Sequence, residues 1–161
     1  MDDVNTSKPT KDTKIKKILC VLCAFVVKSF ERRINMAEKK ILIVDDSATM
    51  RQLLIMAVRK LDGVGPLSIV EAVDGQDGLE KFKAGKFDLV MTDIKMPNLT
   101  GLELISKLRD EMGDKNIPII IISTKGEETD IQRGISLGAN EYLLKPISTI
   151  RLKEVITKLL G

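Results

Sequence analysis

Short apolar runs alternate with longer amphipathic stretches from about residue 40 to the end of the chain. The runs cover residues 41–44, 67–73, 89–91, 119–122 and 142–144. A short apolar run bounded by turn signals predicts a strand buried in a parallel sheet. The stretches between the runs have the 3.6-residue period of helices; in the first, the apolar positions are Met50, Leu53, Leu54, Ala57 and Leu61.

Five strands and five helices are therefore predicted in strict alternation. The helices cover about 48–61, 75–84, 101–112 and 127–137, and a last one runs from the capping residue Ser148 to the end. This alternation is typical of a doubly wound α/β fold, with a parallel sheet, helices on both faces and right-handed crossovers. No Gly-x-Gly-x-x-Gly follows the first strand, so the phosphate-binding loop of a dinucleotide fold is absent.

Polar residues follow four of the predicted strands at the point where each strand ends. They are Asp45 and Asp46, Asp93, Ser123 and Thr124, and Lys145. Each one alone has an ordinary structural explanation as a helix cap, a turn residue or a solvated charge. Because ligands bind at the carboxyl ends of strands in open α/β sheets, the whole set predicts one functional site.

Three carboxylates at one sheet edge need a compensating cation. Two unit charges about 4 Å apart repel by roughly 4 kcal/mol at an effective dielectric constant near 20. A set of carboxylate oxygens suits Mg²⁺, which keeps waters and shares them with phosphate groups. A lysine and a hydroxyl facing the same point would supply countercharge and a hydrogen bond to a phosphoryl group. The residues thus predict an aspartate that accepts a phosphoryl group with the help of Mg²⁺.

Four short motifs resemble the receiver domains of bacterial response regulators, in particular single-domain, CheY-like receivers of two-component chemotaxis systems. The motifs are Val-Asp-Asp-Ser at 44–47, Thr-Asp-Ile-Lys-Met-Pro at 92–97, Ile-Ser at 122–123 and Leu-Lys-Pro at 144–146. The resemblance covers about residues 39–161. It implies a flavodoxin-like, three-layer sandwich whose five-stranded parallel sheet has the order 2-1-3-4-5.

The resemblance also implies a role for each site residue. Asp93 is the phosphoacceptor, Lys145 pairs with the phosphoryl oxygens, and Ser123 is the switch hydroxyl. Asp45, Asp46 and Asp93 hold Mg²⁺ together with the backbone carbonyl of Lys95. Two structural features complete the set: a cis peptide bond between Lys145 and Pro146, and an aromatic side chain, Tyr142, that rotates on activation.

Three positions near the expected site depart from, or vary within, the family pattern. Thr124 stands where the family usually has a small residue, which implies a tighter crevice. Lys95 and Lys125 add positive charge at positions that tune the lifetime of the phosphorylated state. We therefore expect Lys95 to alter the rate of autodephosphorylation.

The predicted function is that of a cytoplasmic, monomeric signalling protein that catalyses only its own phosphorylation and dephosphorylation. The resemblance implies a histidine kinase as phosphodonor. It also implies a downstream protein partner such as a flagellar motor switch, bound through the fourth helix, fifth strand and last helix. Because the chain ends just after that helix, we expect no attached output domain and a signal that leaves by protein contact.

One alternative function stays open at this point, and two others are disfavoured. The protein could be a phosphorelay carrier or phosphate sink, which labelled phosphotransfer to a second histidine would identify. A phosphatase of the haloacid dehalogenase type requires Asp-x-Asp after a strand, whereas Lys95 occupies the second position. A flavodoxin-like electron carrier is disfavoured because one tyrosine and no tryptophan leave little to stack on a flavin.

Composition removes further classes of function. The chain has no histidine, which excludes a Ser-His-Asp or Cys-His nucleophile, histidine metal ligands and a phosphohistidine of its own. The net charge of +3 comes from residues 1–35, which hold eight basic and four acidic residues, whereas the remainder holds eighteen and nineteen. The predicted folded part therefore gives no electrostatic case for binding nucleic acid.

Residues 1–38 are predicted to be an N-terminal extension that is poorly ordered or forms a short helix, followed by a receiver domain at 39–161. The apolar stretch 18–27 is about half the length needed to span a bilayer, so no stable membrane insertion is expected. An amphipathic surface anchor stays open, but we favour a non-essential extension before a natural start at Met36. Cys20 and Cys23 have no second pair, so we interpret them as incidental thiols in a reducing cytosol.

Overall fold

A computed structural model describes residues 38–61, 63–124 and 126–160 of the chain, in which strands and helices alternate. The strands are β1 Lys39–Val44, β2 Leu67–Ala72, β3 Leu89–Thr92, β4 Ile119–Ser123 and β5 Glu141–Leu144. The α-helices are α1 Ala48–Arg59, α2 Gly75–Ala84, α3 Gly101–Ser106, α4 Glu128–Ser136 and α5 Thr149–Leu160. A π-helical turn, Lys107–Glu111, continues α3. The predicted alternation is thus confirmed, with ends that differ by at most two residues except in α3.

All five strands are parallel and lie in the order β2-β1-β3-β4-β5. This confirms the predicted doubly wound fold. The chain first builds outward from β1 to β2 and then crosses to the other side of β1 to build β3, β4 and β5. The order reverses between β1 and β3, and the crevice at such a switch point is where open α/β sheets bind ligands.

Two buried apolar clusters cover the two faces of the sheet. Side chains of β1, β3 and β4 alternate between them, as Ile41 and Leu42 do, because successive strand residues point to opposite faces. One cluster joins the sheet to α2 and α3, with Leu104, Ile105 and Leu108 fully buried. The other joins it to α1 and α5. Burial on both faces explains why β3 and β4 are apolar along nearly their whole length.

The starts of α1 and α3 are set by side-chain caps that the local sequence provides. The Ser47 hydroxyl accepts a hydrogen bond from the Met50 N–H, as the predicted cap for α1 requires. Thr100 and Glu103 form a reciprocal capping box at the start of α3. Such caps satisfy N–H groups that have no partner within the helix.

The face that α1 turns to the sheet differs from the predicted one. Leu54, Ile55 and Val58 are buried, whereas Leu53, named among the periodic positions, is 49% exposed. Apolar residues run without a break from 53 to 58 and so cover most of the helix circumference. Periodicity alone therefore does not select one face, and packing against β1 and β2 decides it.

The third predicted helix, 101–112, is not α-helical to its end. Its last part forms the π-helical turn, and Met112, an apolar residue at the end of the predicted helix, is 39% exposed. A π-helical turn holds more residues than an α-helical one, which rotates all later side chains around the axis. The Arg109 side chain then reaches the carbonyl oxygens of Asp114 and Ile117, both at 2.7 Å.

Predictions for residues 1–37, including those for Met36, Cys20 and Cys23, lie outside the described residues, and the domain boundary at residue 38 stays a prediction. Among the helices that the structure does describe, none is sufficiently long and apolar to cross a bilayer.

A pair of substitutions in α1 tests the observed orientation of this helix. We expect Ile55→Ala to lower the free energy of unfolding by about 2–5 kcal/mol, because it leaves a cavity in the core. Leu53→Ala should cost only about 1 kcal/mol or less, because half of that side chain is already in water. Urea denaturation followed by circular dichroism measures both values. An equal loss of unfolding free energy in the two variants would contradict the observed buried face of α1.

Candidate functional site

The carboxyl ends of β1, β3, β4 and β5 meet at one edge of the sheet. Backbone pairing continues past the strand ends into the site residues: the Asp93 N–H donates to the Val44 carbonyl at 2.9 Å. On the other side, the Lys145 N–H donates to the Ser123 carbonyl at 2.8 Å. The sheet therefore holds the backbones of Asp93 and Lys145 directly.

Lys145 joins two of the predicted acids. Its Nζ lies 2.8 Å from Asp45 Oδ2 and 2.6 Å from Asp93 Oδ2. The side chains are 10%, 1% and 12% exposed, respectively. Ion pairs in such a partly buried site are screened less by salt than surface pairs.

The second oxygen of each acid is held by the backbone. Asp45 Oδ1 accepts a hydrogen bond from the Ser47 N–H at 2.8 Å, and Asp93 Oδ1 accepts one from the Ile94 N–H at 2.6 Å. Each carboxylate is thus fixed at both oxygens. Each oxygen also keeps lone-pair capacity for another ligand.

The ammonium of Lys145 stays charged in this setting. Burial alone lowers the pKa of Lys145, but hydrogen bonds to Asp45 and Asp93, together with their negative charges, outweigh it and raise the pKa above its ordinary value. The site therefore holds a permanent cation beside Asp93 at neutral pH.

The carboxylates of Asp45, Asp46 and Asp93 fit a divalent cation. One oxygen from each lies within 4.8 Å of the others, and Asp46 is exposed to solvent. Mg²⁺ binds oxygen ligands at about 2.0–2.1 Å and keeps several of its waters, so it needs only a few carboxylate oxygens close together. The donor set, made only of oxygens with an open side, is the chemistry that Mg²⁺ prefers.

The structure places four of the five remaining predicted residues on β4, on β5 or just after β3 and β4. Ser123 ends β4 and is buried, and Tyr142 in β5 is half-buried against the core cluster shared with α2 and α3. Thr124 is exposed and lines an apolar cavity of about 590 Å³ between α1 and α5. Lys95 is exposed on a groove between α3 and α4, and Lys125 lies outside the described residues. The functional roles of these residues, including the Lys95 carbonyl as a ligand, stay predictions.

The Lys145–Pro146 peptide bond is cis, which is the geometry that the resemblance implies.

Gly101 supports the site and was missed from the sequence. An added Cβ at this position would lie only 1.9 Å from the Asp93 carbonyl oxygen, so α3 begins in direct contact with the Asp93 backbone. The Gly101 N–H also donates to the Ile94 carbonyl at 3.0 Å. The sequence signal was weak, because a glycine after the capping residue Thr100 is ordinary at a helix start.

The loop between Asp93 and α3 is held from α2 as well. Asp74 caps α2 and also accepts a hydrogen bond from Asn98 Nδ2 at 2.6 Å. The Asp77 N–H, followed by the Asn98 amide, lowers the pKa of Asp74, so the carboxylate stays ionised. Asn98 has φ +61°, a conformation that asparagine tolerates better than most residues. Two neighbouring helices thus fix the chain that follows Asp93.

Comparison with known proteins finds receiver domains. The chain matches the family model of the response regulator receiver domain over residues 41–157. The chemotaxis protein CheY1 of Helicobacter pylori is 37% identical over 123 residues, which are 76% of this chain and 97% of that protein. The chemotaxis protein CheY-3 of Vibrio cholerae is 36% identical over 120 residues, covering 74% of this chain and 90% of its own. A solved structure of the V. cholerae chemotaxis protein CheY4 superposes with a TM-score of 0.69 at 29% identity, over 77% of this chain and 100% of that one.

Substitution of Gly101 tests the close approach to Asp93. We expect Gly101→Ala to lower the free energy of unfolding by about 1–3 kcal/mol, because the new methyl group displaces the Asp93 backbone. Gly85→Ala is the matched control: its added Cβ meets nothing closer than 3.5 Å. That control should stay within about 0.5 kcal/mol of the wild type. Equal stability of the two variants in thermal denaturation would show that α3 does not press on Asp93.

Proposed function

The chain belongs to the response regulator receiver family, and from this premise we propose that it is a phosphorylation-dependent switch in a chemotaxis-type two-component system. Asp93 accepts a phosphoryl group from a histidine kinase, and the phosphorylated form binds another protein. The observation that carries the proposal is the contact of Lys145 with both Asp45 and Asp93 at the switch point of the sheet.

The proposed reaction transfers a phosphoryl group from nitrogen to oxygen. An oxygen of the Asp93 carboxylate attacks phosphorus in line with the bond to the donor, and a P–O bond forms as the P–N bond breaks. The histidine nitrogen of the kinase keeps the bonding electron pair and is protonated. When Mg²⁺ is bound by Asp45, Asp46, Asp93 and the Lys95 carbonyl, it neutralises charge on the phosphoryl oxygens.

Lys145 and Ser123 stabilise the product in this proposal. The Lys145 ammonium already lies 2.6 Å from Asp93 Oδ2, so it is placed to donate to a phosphoryl oxygen on that side chain. Such charge-assisted hydrogen bonds are roughly twice as strong as neutral ones. Ser123 ends the neighbouring strand and supplies a hydroxyl for another phosphoryl oxygen.

The signal arises because the phosphoryl group changes local charge and hydrogen bonding. It adds about −1.5 to −2 charges and three strong acceptors. Movement of Ser123 toward the group would leave room for Tyr142 to turn inward, which biases an equilibrium between inactive and active forms. Each 1.4 kcal/mol or so of differential stabilisation shifts that equilibrium about tenfold.

The proposed partner surface consists of α4, β5 and α5. It combines charged and apolar side chains: Glu141 in β5 pairs with Arg151 and Lys158 of α5, at 3.6 and 2.7 Å. Three large apolar side chains are exposed on it, Ile135, Leu144 and Ile150. We propose that the protein acts as a monomer in the cytoplasm and signals through this surface to a flagellar motor switch or a similar component. The chemotaxis names of its relatives support that pathway.

Phosphorylation of Asp93 is tested by intact-mass measurement after incubation with acetyl phosphate and Mg²⁺. We expect the wild type to gain one phosphoryl group and Asp93→Asn to gain none, because the amide is no nucleophile. The exposed Asp110 provides the control variant Asp110→Asn, which should behave like the wild type. Removal of Mg²⁺ with a chelator should abolish the gain. If both Asp93→Asn and the wild type gain the group, or neither does, the site assignment is wrong.

The role of Lys95 is tested by the decay of the phosphorylated protein. We expect Lys95→Ala to change the hydrolysis rate by about threefold, corresponding to roughly 0.7 kcal/mol of activation free energy, because a positive charge two residues after Asp93 is removed. Loss of signal after removal of the phosphodonor gives the rate. Lys86→Ala, at a lysine of the loop before β3, is the control. Equal decay of wild type and Lys95→Ala would remove this role.

A further inference from the structure

The side chain of Arg51 turns back from α1 toward the start of that helix. Although arginine is usually exposed, this side chain is only 11% exposed. Its Nη1 donates to the backbone carbonyl oxygen of Asp45 at 2.7 Å, and its Nε donates to Glu71 Oε2 at 3.1 Å. One guanidinium thus connects the backbone of Asp45 to Glu71 in β2, which is an edge strand of the sheet.

Glu71 is itself held in place. Its carbonyl oxygen accepts a hydrogen bond from Lys81 Nζ of α2 at 2.7 Å, and Gln52 Nε2 lies 3.4 Å from each carboxylate oxygen. In the pairing of β1 with β2, Glu71 stands opposite Ile43. The guanidinium therefore pairs with a carboxylate that is 40% exposed, on a strand whose backbone is held by α2 and which contributes no residue to the proposed metal site.

The contact with the Asp45 carbonyl has a consequence for Asp46. That carbonyl and the Asp46 N–H belong to the same rigid, planar peptide unit. The Asp45 carboxylate is oriented independently, by Lys145 and by the Ser47 N–H. The hydrogen bond from Arg51 to the Asp45 carbonyl therefore fixes the orientation of this peptide plane, and with it the direction in which the Asp46 side chain leaves the backbone. Of the three acids Asp45, Asp46 and Asp93, only Asp46 is exposed.

We propose that Arg51 is a positioning residue that aims the Asp46 carboxylate at the metal site. It acts through the peptide unit between Asp45 and Asp46 and contacts no reacting atom. This inference rests on the proposed function, because it assumes that Asp46 is a ligand of the bound cation.

Positioning and electrostatics predict opposite signs for loss of the guanidinium. Removing a positive charge near a cation site weakens repulsion and strengthens metal binding. Removing a support that orients a ligand weakens metal binding, and loss of such outer contacts typically costs about 10- to 100-fold in affinity. The direction of the change in Mg²⁺ affinity therefore separates the two effects.

The test is calorimetric titration of the metal-free, full-length protein with Mg²⁺. We expect Arg51→Gln to raise the Kd for Mg²⁺ about tenfold, in the range typical for lost outer contacts. Arg51→Lys keeps the charge but lacks the forked donor geometry, so it should raise the Kd by a smaller factor, about threefold. Arg59→Gln removes an exposed arginine at the end of the same helix and should leave the Kd within about twofold of the wild type.

A metal-free readout accompanies the titration. Amide resonances of Asp46 and Ser47 in nitrogen–proton correlation spectra should shift in Arg51→Gln without Mg²⁺, and should stay unchanged in Arg59→Gln. An unchanged Kd, or a lower one, in Arg51→Gln would overturn the inference. If Arg51→Gln does not fold, the test uses Arg51→Lys instead. A Kd for Mg²⁺ equal to that of the wild type in Arg51→Lys would then overturn the inference.

Failure of the proposed function gives a different pattern. A wild type that neither binds Mg²⁺ nor takes up a phosphoryl group at Asp93 overturns the proposed function, and the role of Arg51 with it. A wild type that does both, while the Arg51 variants bind Mg²⁺ equally well, overturns the role of Arg51 alone.

Discussion

The ion pairs of Lys145 with Asp45 and Asp93 are the interaction on which the whole site depends. Two carboxylates held side by side at neighbouring strand ends repel each other, and burial strengthens that repulsion. The lysine compensates this charge and hydrogen-bonds to both acids. The same contact gives the site its proposed chemistry, because it keeps a cation beside the aspartate that is to carry a phosphoryl group.

The parallel sheet makes this interaction geometrically possible. Lys145 lies 100 residues from Asp45 and 52 from Asp93 along the chain. The strand order places β1 next to β3 and β5 two strands away from β3, and all carboxyl ends lie at one edge. The loop after Asp93 is then immobilised by the start of α3 at Gly101 and by the contact of Asn98 with Asp74. A rigid rim of this kind suits transfer chemistry, since misplacement by about 1 Å is costly.

The edge strand β2 is connected to the site although it supplies no acid or lysine to it. Arg51 joins Glu71 of β2 to the backbone of Asp45, and Lys81 joins the same strand to α2. On the opposite side, β5 continues into Lys145, while its Glu141 pairs with α5. The proposed partner surface and the proposed metal site are therefore both extensions of the same sheet.

The sequence by itself determined the alternation of strands and helices. The apolar runs of the strands and the 3.6-residue period of the helices both depend only on residues that are close together in the chain. It also placed the acids, Ser123 and Lys145 at strand ends, and the motifs predicted the strand order. Tertiary structure decided which face of α1 is buried, since an unbroken apolar run offers several. It also decided that Met112 turns outward after the π-helical turn, that Gly101 must lack a side chain, and that Arg51 reaches Asp45. These features depend on how closely each helix packs against the sheet, and a local sequence pattern does not determine the distance between a helix and the sheet.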